Sequence, residues 1–317
     1  MRFYALLDEL GTSRFNKGMS KQKILIQLDS DSQASVFDAV VAIDAGVDHL
    51  LQHSGVTIDN VRSLVHGAMY TRGPSDLKNT AIFIGGTNVN DGEAIAAVAL
   101  ESFLDPFRVS IMLDSNGANS TAAATVLCAT RHLKLERASA LVMAATGSVG
   151  QRVCQILANE KCYTYVASRS LERSQECIRL LVAGGANEKY LKPLASSDDV
   201  ELNQVLSSVQ MVFGCGAAGA GLLNESQLSK ATNLKVAIDL NAVPPSGIAG
   251  IAIMDKGKQR GERFDYGALG VGGLKMKIHK ASLTALFNSN NQFLDCQEML
   301  AIGEHILKAA SEKPESR

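Results

Sequence analysis

Residues 145–150, Ala-Thr-Gly-Ser-Val-Gly, are small and follow directly on the apolar run 139–144, Ser-Ala-Leu-Val-Met-Ala. A small-residue turn between a strand and a helix can cradle a pyrophosphate. Backbone N–H groups at the helix start point at the anion, and the helix dipole favours its charge. Thr146, Gly147, Ser148, Val149 and Gly150 are therefore the expected phosphate-binding residues, and Val153, Ile156 and Leu157 continue at helical spacing. A second strand, 162–167, ends in Ser168-Arg169-Ser170. A dinucleotide-binding unit specific for NAD places an acid about 20 residues after its glycines, to hold the ribose 2′-hydroxyl. An arginine flanked by hydroxyls suits a 2′-phosphate instead. Ala145 replaces the first glycine of the fingerprint, and alanine makes that turn when its φ is negative. The local reading is a nicotinamide dinucleotide site, NADP favoured and NAD possible.

Composition narrows the rest. The chain has 317 residues, 46% of them apolar and 20% charged, with a formal net charge of −1. That length allows about two domains with separate cores. No basic excess is present to neutralise a nucleic-acid backbone, and no apolar stretch approaches the roughly 20 residues of a membrane span. The six cysteines stand singly, without C-x-x-C spacing, as buried reduced thiols of a cytoplasmic protein would. The six histidines are scattered and no metal is expected. Residues 1–18 resemble neither a secretory nor a transit peptide and are read as an extension ahead of Met19-Ser20-Lys21.

The elements that position the phosphate turn alternate between strand and helix. Strands are expected at 24–28, 80–84 and 107–113, with helices at 36–41, 57–65, 91–103 and 121–133. A second set includes strands at 209–213 and 235–239. This order implies an α/β fold of two parallel-sheet domains. Gly267–Gly273 reads as a flexible hinge, followed by helices at 274–287 and 296–310. Polar clusters at Asp29-Ser30-Asp31, 85–88, 114–121 and Asn241 fall at strand carboxyl ends, where such sheets bind ligands.

Several longer motifs occur in one order: 26–29 (Ile-Gln-Leu-Asp), 35–38 (Ser-Val-Phe-Asp), 70–73 (Tyr-Thr-Arg-Gly), 112–117 (Met-Leu-Asp-Ser-Asn-Gly), 241–245 (Asn-Ala-Val-Pro-Pro) and 267–275 (Gly-Ala-Leu-Gly-Val-Gly-Gly-Leu-Lys). In these the chain resembles the NAD(P)-dependent methylene-tetrahydromethanopterin dehydrogenases of bacterial one-carbon metabolism, over about residues 20–300. The resemblance implies a pterin-substrate domain of residues 19–133 and 275–317, with a Rossmann domain at 134–274 inserted into it. It implies conversion of 5,10-methylene-tetrahydromethanopterin and NAD(P)⁺ to the methenyl cation and NAD(P)H, in a cytoplasmic homo-oligomer such as a trimer.

Removing hydride from a carbon flanked by two nitrogens leaves a delocalised cation, and no proton leaves carbon. The step needs alignment rather than a general base. Carboxylates can stabilise the developing charge, and Asp38 and Asp114 are the candidates. The resemblance carries Lys275 to the reacting centre, where a carboxylate partner or a hydrogen bond to the pterin must offset its charge. Lys277 and His279 are expected to serve only as surface or cap residues. The resemblance also assigns Phe37, Arg72, Asn116, Asn119 and Thr121 to substrate, and Ala217, Asn241 and Gly270 to cofactor. The alternatives are a methylene-tetrahydrofolate dehydrogenase, whose carrier differs by a carbonyl and in its tail, and a non-catalytic NADP-binding sensor on the same scaffold.

Overall fold

A computed structural model describes residues 21–312. The extension read at 1–18 and the last five residues lie outside that range.

Three buried apolar runs make the first sheet: β1 (Ile24–Leu28), β3 (Thr80–Ile84) and β4 (Ser110–Leu113). β2 (His49–His53) pairs at one edge, and β12 (Phe293–Leu294) joins β4 from the far end of the chain, giving the order β12-β4-β3-β1-β2. Strand order reverses between β1 and β3, which opens a crevice at their carboxyl ends. Ser35 starts α1 (Val36–Asp44), its hydroxyl accepting the Asp38 N–H at 3.2 Å. The helices α2 (Val61–Met69), α3 (Val89–Glu101, capped by Asn88) and α4 (Ala118–Thr130) complete this half.

The second sheet contains β5 (Ser139–Met143), β6 (Tyr163–Ser168), β7 (Leu191–Ala195), β8 (Met211–Gly214), β9 (Val236–Asp239), β10 (Lys256–Arg260) and β11 (Arg263–Gly267). Its order, β10-β11-β9-β8-β5-β6-β7, contains the six-strand Rossmann arrangement with antiparallel β10 added at an edge. The helices α5 (Ser148–Asn159), α6 (Leu171–Ala183), α7 (Asp199–Ser208) and α8 (Glu225–Leu228) belong to it. The chain then returns through α9 (Ala268–Ala285) and α10 (Cys296–Ser311).

Alanine-rich α4 is buried on nearly every side because it packs against α5, α9 and α10 together. Its small side chains let those helices approach closely. Leu127 of α4 and Ile278 of α9 both press on Gly303 of α10, where a Cβ would lie 2.3 Å from Leu127 and 2.9 Å from Ile278. One apolar core therefore runs from Leu25, Phe83 and Met112 in the first sheet to Val142, Phe213 and Ile238 in the second.

The Gly267–Gly273 segment is not a hinge. Gly267 is the extended N-cap of α9, and residues 268–273 are its first turns, so the crossover between sheets lies at Gly267 and residue 274 is inside the helix. Gly267 and Gly270 serve packing: a Cβ on Gly270 would meet the Asp255 carbonyl oxygen at 1.8 Å. Gly270, expected at the cofactor, is thus a contact between α9 and the loop ahead of β10. Gly270→Ala must displace that loop, and overpacking of this kind costs about 1–3 kcal/mol. Urea unfolding should show that loss, and an unchanged midpoint would contradict the packing role.

Candidate active site between the two sheets

The phosphate turn is built from local backbone geometry. β5 ends at Met143, Ala144 takes φ 54°, and the Ala145 N–H donates to Ala167 O of β6 at 2.9 Å. The left-handed residue is therefore Ala144, and alanine is tolerated at 145. Gly147 is the N-cap of α5 and offers no side-chain acceptor to the first amides of the helix. Gly150 lets α5 sit on the strand, since a Cβ there would lie 2.8 Å from Ala145 Cα and 2.9 Å from Ala144 O. This backbone cradle fits a pyrophosphate.

A cavity of about 550 Å³ opens over the turn, lined by Thr146, Gly147, Ser168, Arg169, Cys215 and Ala217 among others. Arg173 and Ser196 join Arg169 in its wall, and hydrophobic patterning alone singles out neither. Ser196 follows edge strand β7, whose Pro193 and exposed Lys192 mask the strand pattern. Ser170 is not in the wall, because its hydroxyl caps α6 by accepting the Arg173 N–H. Val149 packs against the core. Asn241 ties two loops together, accepting from the Gly219 N–H at 3.1 Å and donating to Pro245 O at 2.7 Å. It shapes the turn bearing Ala217 and lines a separate small hollow.

Across the cleft, a cavity of about 240 Å³ is lined by Asp31, Phe37, Asp38, Thr87, Asn116 and Lys275, among others. A third space of about 470 Å³ shares Thr87 and Asn116 with it and Thr146 with the nucleotide cavity, so the three hollows adjoin along the cleft. Asn116 stands at this junction in a left-handed conformation, φ 54°, with its N–H on Gly86 O at 2.7 Å. Phe37 is 55% exposed, and the Lys275 ammonium lies 5.2 Å from its ring centroid. A Cβ on Gly117 would stand 3.1 Å from Lys275 Nζ, so that glycine makes room for the lysine. Thr121 faces the same corner of α4 and is half-buried.

Two substrate expectations are not met in this geometry. Arg72 lies at the opposite end of the sheet and donates to Gln22 O and Asn79 O, at 3.1 and 2.8 Å, beside the starts of β1 and β3. Asn119 is buried, donating to Leu113 O and accepting from Arg152 Nε. Arg152, itself buried, also reaches Glu93 of α3 at 2.6 Å and so clamps the two halves together.

His279 departs furthest from expectation. It is 1% exposed, and its Nδ1 lies 2.7 Å from Asp114 Oδ2. Lys277, two residues earlier on the opposite face of the helix, is exposed as expected. Asp114 also accepts the Ser120 N–H at 3.0 Å and its hydroxyl at 2.6 Å. Burial alone would raise the Asp114 carboxyl. The His279 hydrogen bond and charge, the Lys275 charge and the Ser120 hydroxyl outweigh it and hold the group below the usual range. Burial raises the Asp38 carboxyl, offset in part by the Ser35 hydrogen bond and the nearby His279 and Lys275. The pocket wall thus holds Asp38 and Lys275, with Asp114 buried behind them, two carboxyls whose proton affinities are shifted in opposite directions.

Residues 36–116 match the family described as methylene-tetrahydromethanopterin dehydrogenase, N-terminal. The bifunctional protein MdtA of Methylorubrum extorquens is 38% identical over 293 residues, covering 91% of this chain and all of that one. The NAD(P)-dependent methylenetetrahydromethanopterin dehydrogenase of the same organism is 31% identical, covering 80% of this chain and 88% of its own. The chain belongs to the methylene-tetrahydromethanopterin dehydrogenase family. Among solved structures, an aspartate carbamoyltransferase-like protein of Trypanosoma cruzi, 10% identical, overlays with a TM-score of 0.50 over 86% of this chain and 85% of that one, a likeness of fold alone.

Arg169 and Arg173 together should hold a 2′-phosphate, and a hydrogen bond to a charged group contributes about 1.5–3 kcal/mol. Exchanging both for alanine should weaken NADP⁺ binding by about 10–100-fold in calorimetry and leave NAD⁺ binding little changed. Equal loss for both nucleotides would remove the pair from 2′-phosphate recognition.

Proposed function

We propose that the protein oxidises 5,10-methylene-tetrahydromethanopterin to the methenyl form with NADP⁺, NAD⁺ serving less well, in the one-carbon metabolism of the cytoplasm. The observation that carries this reading is the row of adjoining hollows from the Phe37–Lys275 cavity past Asn116 and Thr87 to Thr146 at the phosphate turn. It lets a pterin and a nicotinamide meet across the cleft. No described helix is long and apolar enough to cross a membrane. Exposed Val36, Val40 and Ile43 on α1 support a homo-oligomer.

When bound, the oxidised nicotinamide supplies the hydride acceptor. The chain's own residues do the positioning. The α5 amides and the Arg169–Arg173 pair, both lining the cavity, anchor the nucleotide. Phe37 offers its exposed ring to the pterin, and Lys275, fixed between that ring and Gly117, donates hydrogen bonds to pterin oxygen or nitrogen. Asp114 offsets the lysine charge, and Asp38 supplies the second carboxylate as positive charge grows on the substrate. Asn116 and Thr87 line the junction where the two ligands meet.

Formation of NADPH followed at 340 nm, with the methanopterin and folate carriers compared side by side, tests the reading. Turnover should favour the methanopterin carrier. A preference for the folate would reassign the substrate, and bound nucleotide with no turnover on either carrier would make the protein a sensor. Lys275→Ala should lower kcat/KM by about 10²-fold, since misplacing substrate by about 1 Å costs that much. An unchanged kcat/KM would exclude the lysine from the chemistry.

A further inference from the structure

The buried side of His279 is the strongest feature that the reaction above leaves unused. Its Nδ1 is committed to Asp114, while its Nε2 is buried and has no hydrogen-bond partner among the described residues. Asp38 Oδ1 lies 3.9 Å from Nε2. The Phe83 ring closes one side, edge-on at 5.8 Å between centroids. Four charged groups face this corner: Asp114 from the end of β4, Asp38 from α1, Lys275 one turn earlier on α9, and Asp29 from the end of β1. Asp29 and Asp38 both reach over Gly85, their Oδ2 atoms 3.4 and 3.7 Å from the place a Cβ would occupy there.

An ionised carboxylate only accepts hydrogen bonds, and a neutral imidazole that donates through Nδ1 only accepts at Nε2. With Asp114 ionised, a neutral His279 would turn a lone pair shut off from water toward an ionised Asp38, whose side chain reaches the cavity wall. Two acceptors facing each other under burial repel. A single proton between them removes the repulsion, either on Nε2 with Asp38 ionised or on Asp38 with the ring neutral. The opposed tendencies of the two carboxyls agree with this: Asp114 is held low and Asp38 is raised.

We propose that His279 is a positioning residue that shares one proton with Asp38, holding Asp38 as a carboxylate toward the substrate while positive charge builds on the N–C–N carbon. The inference rests on the proposed oxidation. In the step, the O–H bond of Asp38 breaks, the N–H bond at His279 Nε2 forms, and the electron pair stays on the Asp38 oxygen. No proton is exchanged with solvent and no further reactant is needed. Asp114, locked by Ser120, keeps the ring oriented with Nε2 toward Asp38. As the two groups approach from 3.9 Å, a hydrogen bond forms behind the carboxylate. Lys275 binds the pterin in front of it.

His279→Gln keeps a donor for Asp114 but cannot carry the proton. We expect kcat to fall by about tenfold or more with KM for the pterin little changed, since transition-state charge and not ground-state binding is affected. The acid limb of kcat/KM should move to higher pH by about 1 unit or more, because an Asp38 without a cation neighbour holds its proton more tightly. A merely structural His279 would lower thermal stability and leave the limb in place, which would overturn the proposal. ¹⁵N and ¹³C NMR of the wild-type protein read the pair independently of the variant's folding. Near pH 7 one proton should be found on His279 Nε2 or on the Asp38 carboxyl, and both groups bare would overturn the proposal. Absence of turnover on the methylene carrier by the wild type would instead sink the proposed oxidation, and the NMR result would still decide whether the proton is shared.

Discussion

The buried contact between Asp114 and His279 joins the carboxyl end of β4 to the helix that returns from the second sheet, across 165 positions of sequence. Losing one partner of such a pair leaves an uncompensated buried charge, at a cost of about 3–5 kcal/mol. The rotation of α9 about its axis is set by that contact. Residues four apart share a helix face, so fixing His279 also fixes Lys275 over Gly117 and beside Phe37. Asp38 gains its place from the other direction, through the Ser35 cap that starts α1.

That contact holds because the helices around it pack tightly. The alanines of α4 and Gly303 of α10 bring helix axes close, and the shared core makes the two sheets one body rather than two linked ones. Arg152 adds a polar tie between them through Asn119 and Glu93. Between these ties the cleft keeps a polar lining of Thr87, Asn116 and Thr146. A rigid frame with a wet slot suits a reaction limited by alignment.

What the sequence made legible follows the range of the forces involved. The phosphate turn at 145–150 is local, since its glycines, the preceding apolar run and the following helical pattern lie within 20 residues, and the structure assembles them in that form. Ser35 was legible as a cap for the same reason. His279 was not, because its partners Asp114 and Asp38 come from elements far away in sequence and a lone histidine on an apolar helix face carries no mark of either. Arg72 misled in the opposite way: its motif suggested a ligand, while two backbone carbonyls at the sheet's other end occupy its guanidinium. The glycines of 267–273 read as flexible because glycine weakens isolated helices, whereas here Gly267 and Gly270 are required by the close approach of the 252–255 loop. Edge strands β2, β7 and β10 escaped hydrophobic patterning because much of their surface faces water.

The chemical account reduces to one arrangement: a pterin held by Phe37 and Lys275, with Asp38 behind its reacting carbon, facing a nicotinamide anchored at the α5 N-terminus. A crystal structure of the ternary complex with the methenyl product and reduced nucleotide tests this most directly. The account predicts the methenyl carbon within about 3–3.5 Å of the nicotinamide ring carbon that carries the transferred hydrogen, at the junction lined by Thr87, Asn116 and Thr146, with the Asp38 carboxylate turned toward the cation. A pterin seated outside that junction, or held too far from the nicotinamide for direct transfer, would contradict it.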